Sequence, residues 1–158
     1  MRKSIQTVCV AAGLFVVLVS AAFAQPGKAA INAAVSWAQA LDGQASFPYA
    51  NGVGSCPSGN WCVAFVANAY GHVAASFNAY VLWCLCEQHP GDLNAPRGSL
   101  VFFDRTPDNG LQGHVALCTG DGNLIQAGYA KIRTGKIRWE SAAGRYLGWA
   151  WPPSNWLP

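Results

Sequence analysis

The hydrophobic pattern of the chain changes near residue 96, and this change constrains the fold more than any other feature. Before it, residues 29–41, 61–70 and 76–88 carry apolar side chains at helical spacing. After Pro96-Arg97-Gly98, short apolar runs alternate with turn residues, which is typical of antiparallel strands. Helices followed by such strands predict an α+β fold, with N-terminal helices packed on an antiparallel sheet.

Turn residues give the finer organisation of both halves. Residues 47–59 hold several glycines and prolines and predict a loop. Gly120-Asp121-Gly122-Asn123 predicts a tight hairpin turn, and Thr134-Gly135 predicts the turn of a further hairpin. We expect strands at residues 100–103, 114–119, 124–127 and 146–151.

The first 24 residues have the pattern of a secretory signal peptide. Arg2 and Lys3 precede an apolar run over residues 8–19, and a small-residue segment ends at Ala24. The alternative is an uncleaved anchor helix, but the run is shorter than the roughly 20 residues that a membrane span needs. We expect cleavage after Ala24, which leaves residues 25–158 as a single domain in the extracellular medium or the periplasm.

Cleavage changes the charge and the cysteine count. The full chain of 158 residues is 52% apolar and 11% charged, which excludes a disordered chain. The remaining 134 residues carry a net charge of +1, so nothing indicates a nucleic-acid partner. They hold five cysteines, and in an oxidising compartment an odd count leaves one thiol that is either free and reactive or paired between molecules.

Cys62 is the cysteine best placed for chemistry. It lies in the first turn of the second predicted helix, where free N–H groups and the helix dipole favour thiolate over thiol. The same N–H groups can stabilise an oxyanion when a thiolate attacks a carbonyl. The alternative is that Cys62 is one half of a disulfide or a buried apolar residue.

A thiol nucleophile needs a base, and His114 fits this role best among the three histidines. His72 and His89 follow helix ends, where an imidazolium meets the negative pole of the helix. Gln126 is polar within an otherwise apolar strand and can accept a hydrogen bond from the imidazole. The alternative for His114 is a structural histidine, and the alternative for Gln126 is an outward-facing residue of an edge strand.

If Cys62 is free, the other four cysteines allow three disulfide pairings. Cys84 and Cys86 face different directions on a helix, so their mutual pairing is the least favoured. We expect two bridges that tie the loop, the third helix and the sheet together. Alternatively, Cys118 is a buried free thiol. The disulfide candidates are Cys56, Cys84, Cys86 and Cys118.

Five motifs, in order, resemble the NlpC/P60 family of cysteine peptidases, which cut peptide bonds in bacterial peptidoglycan. Each motif is weak alone, but the ordered set covers the chain from about residue 29 to its end. The matching segments are Pro48-Tyr49-Ala50-Asn51-Gly52, Trp61-Cys62-Val63-Ala64-Phe65-Val66, Pro96-Arg97-Gly98-Ser99-Leu100-Val101-Phe102-Phe103, Gly113-His114-Val115-Ala116-Leu117 and Gly120-Asp121-Gly122-Asn123-Leu124-Ile125-Gln126-Ala127.

The resemblance implies a papain-like α+β fold and a cysteine endopeptidase or amidase. It implies that Cys62 is the nucleophile, His114 the base and Gln126 the third polar residue, and that Tyr49 stands near the substrate cleft. Trp61, which directly precedes Cys62, is a second candidate for substrate binding. The resemblance implies no metal and no organic cofactor. The expected partners are stem or cross-link peptides of peptidoglycan. We expect a monomer with no integral membrane segment after signal cleavage.

The chain departs from the family pattern beside the nucleophile. Family members usually have Asp before the cysteine and Ser after it, whereas this chain has Trp61 and Val63. In the family that Asp helps to bind the amino group of the substrate. The usual preference for γ-D-glutamyl bonds is therefore not carried over to this chain.

Two other functions stay open at the level of the sequence. One is an acyltransferase on the same scaffold, because a fold does not fix a reaction. The other is a non-catalytic secreted module that binds cell-wall glycans, with aromatic side chains stacked on sugars. That aromatic set is Tyr49, Trp61, Trp149, Trp151 and Trp156.

Overall fold

The computed structural model describes residues 25–52, 54–57, 61–73, 78–128, 130–141 and 145–156. The predicted signal peptide lies outside these residues. Within the described part of the chain, no helix is long and apolar enough to cross a membrane.

Among the described residues, three α-helices precede the large sheet and one follows the strand Ile132–Lys136 along the chain. The first buries Ile31, Ala34, Val35 and Ala38, which recur at helical spacing and form one apolar face. The helices are α1 (Lys28–Ala40), α2 (Cys62–Ala69), α3 (Ala79–Leu85) and α4 (Ile137–Ser141).

The strands form a small hairpin and a six-stranded antiparallel sheet. The hairpin pairs β1 (Ser46–Pro48) with β2 (Ser55–Pro57). The spatial order of the sheet is β3-β8-β4-β5-β6-β7. Its strands are β3 (Gln88–Pro90), β4 (Leu100–Phe103), β5 (His114–Gly120), β6 (Asn123–Ala127), β7 (Ile132–Lys136) and β8 (Tyr146–Ala150).

Apolar side chains cover both faces of the sheet. Val115 and Leu117 of β5 pack in the larger core with side chains of α1, α2 and α3. Ala116 and Cys118 point to the opposite face, where Ile137 of α4 covers them. This alternation follows from the period of two along a strand. The α+β prediction is confirmed, and the site described below lies where α2 meets β5.

Three predicted boundaries were wrong. Thr134-Gly135 is not a turn, because β7 runs through both residues and α4 follows it. Residues 47–59 are not wholly a loop, since β1 and β2 pair within them. The third helix ends at Leu85 rather than near Gln88, and residues 88–90 form an edge strand on β8 instead.

Candidate active site

Cys62 is the first residue of α2 and is half-buried. The residue before it, Trp61, occupies the N-cap position and makes no side-chain cap hydrogen bond. An indole can only donate, so it cannot accept from the N–H groups of the first turn. These N–H groups therefore stay open to a thiolate or to an oxyanion beside Cys62.

His114 begins β5 and lies opposite Phe103 of β4. The chain enters the strand through Gly113, whose φ of +73° suits glycine. A Cβ at Gly113 would lie 3.1 Å from the carbonyl oxygen of Phe103 and 3.2 Å from the backbone nitrogen of Tyr80. The glycine thus lets α3, β4 and β5 approach each other closely where His114 begins.

Gln126 lies on the neighbouring strand and reaches the imidazole. Leu117 pairs with Ile125 across β5 and β6, so Gln126 projects on the same face as His114. The Nε2 of His114 lies 2.7 Å from the Oε1 of Gln126 and donates to it. Gln126 is 3% exposed, so this bond is shielded from water.

The thiol and the imidazole change each other's proton affinity. Burial favours the neutral thiol, but the hydrogen bond and the charge of His114 outweigh it and lower the pKa of Cys62. Backbone hydrogen bonds from Val115 and Val63 act in the same direction. Burial would lower the pKa of His114, but its bonds to Cys62 and Gln126 raise it. Both shifts favour a thiolate–imidazolium pair.

Trp61 and Tyr49 occupy different environments. The side chain of Trp61 is 51% exposed, and that of Tyr49 is half-buried against the larger core. A hydrogen bond with the thiol of Cys56 raises the pKa of the Tyr49 hydroxyl. The loop after Tyr49 is fixed to α2, because the buried Asn68 accepts from the N–H of Ala50 and donates to the carbonyl of Ala64 at 2.7 Å.

The predicted disulfides are absent among the described residues, where all five cysteines are free thiols. The sheet separates Cys118 from the other two buried candidates, because Cys56 and Cys86 lie on the face covered by α1, α2 and α3, and Cys118 lies on the other. Cys84 is exposed on α3, whereas Cys86, which follows the end of the same helix, is buried. Cys118 is a buried free thiol, as in the alternative given for it above, and it donates a hydrogen bond to the carbonyl of Ala95 at 3.2 Å.

The aromatic residues of the glycan-binding alternative do not form one exposed surface. Trp149 and Trp156 are 6% and 4% exposed, so both serve mainly as packing. Trp149 stacks on His89 with ring centroids 3.6 Å apart. Of the set, only Trp61 is more than half exposed within the described residues.

Sequence reasoning missed two charged residues beside the site. Glu140 accepts a hydrogen bond from Gln126 at 3.1 Å and pairs with Arg133 at 3.3 Å. No signal in the sequence singles out Glu140, because its contacts depend on how α4 folds back over β7. In the part of the chain described here, no three His, Cys, Asp or Glu side chains gather as a potential metal site.

No family model and no curated protein matches the sequence. Solved structures do match, and several of them are NlpC/P60 proteins. The peptidoglycan hydrolase RipB of Mycobacterium tuberculosis is 20% identical, with a TM-score of 0.53 over 77% of this chain and 64% of its own. An NLP/P60 family protein of Staphylococcus aureus, similar to a lipoprotein, is 20% identical, with a TM-score of 0.59 over 87% of this chain and 46% of its own.

The P60 domain of a Mycobacterium avium subspecies paratuberculosis antigen matches over 78% of this chain and 94% of its own length. Its identity is 20% and its TM-score 0.51. The chain spans about half to two thirds of the length of the first two structures. At these identities the likeness shows a shared fold, which is the fold that the sequence motifs implied.

Proposed function

We propose that this protein is a secreted cysteine endopeptidase or amidase of the NlpC/P60 type, which hydrolyses peptide bonds in bacterial peptidoglycan. One observation carries the proposal: the thiol at the start of α2, the imidazole of His114 and the amide of Gln126 form one chain of hydrogen bonds. A nucleophile, a base and a residue that orients the base are the groups that acyl transfer needs. The fold supports it, since RipB is described as a peptidoglycan hydrolase.

In the first half of the reaction, the thiolate of Cys62 attacks the carbonyl carbon of the scissile peptide bond. The negative charge on the carbonyl oxygen is stabilised by open N–H groups at the start of α2. The imidazolium of His114 then gives its proton to the leaving amine, and the C–N bond breaks. The acyl group remains on Cys62 as a thioester.

In the second half, water hydrolyses the thioester. His114, now neutral, takes a proton from the water, whose oxygen attacks the acyl carbon. The C–S bond breaks, the peptide leaves as a carboxylic acid, and the thiolate–imidazolium pair is restored. Gln126 holds the ring through Nε2 in both halves, so the other nitrogen faces the sulfur.

The proposal includes the placement of the protein and its substrate cleft. Residues 1–24 are a signal peptide, and residues 25–158 are one catalytic domain that acts outside the cytoplasm as a monomer. Tyr49 and Trp61 line the cleft. Because Trp61 is aromatic rather than acidic, the bond that is cut need not carry a free amino group beside it.

The test is muropeptide release from purified peptidoglycan, measured by chromatography and mass spectrometry. Cys62→Ala should lower turnover by at least about 1000-fold, because removing the nucleophile removes the covalent path. Cys84→Ala is the matched control, since it deletes an exposed thiol outside the site and should leave turnover unchanged.

Two results would contradict the proposal. One is equal release by the wild-type protein and Cys62→Ala. The other is a product that carries an added acceptor amine in place of a new carboxylate, which would indicate an acyltransferase. A folded wild-type protein that binds peptidoglycan but releases nothing would instead indicate a binding module.

A further inference from the structure

Both ends of the Gln126 side-chain amide are bonded. Its Oε1 faces the imidazole of His114 at 2.7 Å, and its Nε2 donates to Glu140 at 3.1 Å. Glu140 lies on α4, beyond the strand that follows Gln126 in the sheet. The hydrogen-bonded chain from Cys62 thus continues through Gln126 to a carboxylate.

An amide has two orientations that differ by a half-turn, and they have opposite effects on a histidine. With the oxygen toward His114, the amide accepts from the ring N–H and favours the imidazolium. With the NH₂ group toward His114, the amide donates to the ring nitrogen and opposes its protonation. Gln126 alone does not select between them, because oxygen and NH₂ group are nearly equal in size.

We propose that Glu140 is a positioning residue, which locks Gln126 with its oxygen toward His114. A carboxylate only accepts hydrogen bonds, so Glu140 admits only the NH₂ end of the amide. The role in turnover rests on the proposed function, whereas the effect on the ring of His114 does not depend on it. Glu140 reaches the nucleophile only through two other side chains and does not touch substrate.

The fold makes room for this carboxylate. Gly135 of β7 lies where Glu140 passes over the sheet, and a Cβ there would be 3.1 Å from its Oε1 and 3.7 Å from the Nε2 of Gln126. Arg133, which pairs directly with Gln126 in the β6–β7 register, holds the same Oε1 at 3.3 Å. Gly135 therefore leaves space for the carboxylate of Glu140, and the ion pair with Arg133 holds it in place.

The negative charge of Glu140 favours the imidazolium form of His114, as the orientation of the Gln126 amide does. It contributes to raising the pKa of His114, after the larger effects of Cys62 and Gln126. The Glu140 side chain is 29% exposed, so without it water can reach the NH₂ end of Gln126. Water both donates and accepts, so it does not select an orientation.

The first test is nitrogen NMR of ¹⁵N-histidine-labelled protein, whose three histidines give a simple spectrum. In the wild-type protein, the Nε2 of His114 should carry a proton. In Glu140→Ala, it should shift toward the frequency of an unprotonated ring nitrogen, because part of the Gln126 amide turns. Gly135→Ala keeps the carboxylate but displaces it, and should shift the signal in the same direction.

The second test is a double-mutant cycle on kcat for peptidoglycan. Glu140→Ala should lower kcat about tenfold with little change in KM, as expected for a lost hydrogen bond to a charged group. In a Gln126→Ala background, Glu140→Ala should have a much smaller effect, since only the charge of Glu140 then acts on His114. Glu140→Gln, which keeps an acceptor, should recover part of the loss. Glu87→Ala, an exposed carboxylate elsewhere, is the control.

The proposal is overturned if Glu140→Ala and Gly135→Ala both leave the Nε2 signal of His114 unchanged. It is also overturned if the losses from Glu140→Ala and Gln126→Ala simply add. A protein that shows the NMR shift but no hydrolysis in any form would contradict the proposed function and support the positioning role.

Discussion

The five described cysteines differ in environment far more than their shared chemistry suggests. Burial raises the pKa of Cys86 to about 12, and burial also raises the pKa of Cys56 and Cys118. Only at Cys62, among thiols whose pKa is shifted in the described chain, does a neighbouring imidazole reverse the effect of burial. Among these thiols, the environment therefore favours the thiolate form only at Cys62.

Trp61 provides the first prediction at the residue scale. It directly precedes Cys62, the proposed nucleophile, is 51% exposed and contributes little to the core. Trp61→Ala should raise KM for peptidoglycan about 5- to 50-fold, because a stacking aromatic is worth about 1–2 kcal/mol or more at a binding site. Steady-state kinetics together with thermal unfolding give the measurement.

Leu85→Ala is a suitable control for Trp61→Ala, since Leu85 is 56% exposed on α3. It should leave both KM and Tm near the wild-type values. An unchanged KM in Trp61→Ala would remove Trp61 from the cleft, and a drop in Tm of more than a few degrees would assign it to packing.

At the residue scale, the sequence could predict candidate site residues whose side chains stand out from their local pattern. Cys62 and Gln126 each depart from the local pattern, since a thiol stands at a helix start and an amide lies in an apolar strand. His114 is selected because the other two histidines follow predicted helix ends. Glu140 does not depart from any sequence pattern, because a glutamate is usually exposed to solvent. Its contact with Gln126 arises only from the tertiary fold.

At the scale of elements, α2 both presents Cys62, the proposed nucleophile, and holds the loop that carries Tyr49. Asn68, on α2, is 3% exposed and bonds this loop through Ala50. Asn68→Ala should destabilise the protein by about 1–3 kcal/mol, because the N–H of Ala50 loses its acceptor. The loosened loop should also raise KM for peptidoglycan. Denaturant unfolding and steady-state kinetics measure the two effects.

Asn155→Ala serves as the control, since Asn155 is exposed near the end of the described chain. The anchoring role would be contradicted if Asn68→Ala unfolded at the wild-type denaturant concentration. Loss of stability with an unchanged KM would limit Asn68 to a structural role and separate the loop from substrate binding.

The errors of element prediction have a common physical cause. Thr134-Gly135 predicts a turn because glycine is frequent in turns, but in β7 Gly135 is the residue that leaves space for Glu140. The edge strand β3 ends in Pro90 and has only three residues, so its local pattern is weak. Both features are decided by contacts between distant segments, which a local pattern does not contain.

At the scale of the whole molecule, the sheet divides the buried cysteines between two cores. Cys56 and Cys86 lie on one face and Cys118 on the other, so no bridge crosses the sheet. On their shared face, Cys56 and Cys86 are both free thiols. Alkylation of the denatured, unreduced protein followed by peptide mapping should label Cys56, Cys84, Cys86 and Cys118 fully. Recovery of any disulfide-linked peptide among them would contradict this arrangement.

The fold also brings together groups that lie far apart in the sequence. Cys62 begins a helix in the first half of the chain, and His114 begins a strand in the second. Their contact depends on α2 packing across β5, which the sequence could predict only as a class of fold. The mutual pKa shifts of Cys62 and His114 follow from that packing.

The rate at which iodoacetamide alkylates Cys62, measured against pH in the wild-type protein and in His114→Ala, tests this coupling most directly. Thiolate appears as pH rises through the pKa, so a lowered pKa brings the rise below pH 9.0, the ordinary value for a thiol. Peptide mapping separates Cys62 from the exposed Cys84. We expect the wild-type midpoint to lie below 9.0 and to move upward in His114→Ala. Identical profiles with a midpoint at or above 9.0 would contradict the pairing of Cys62 with His114.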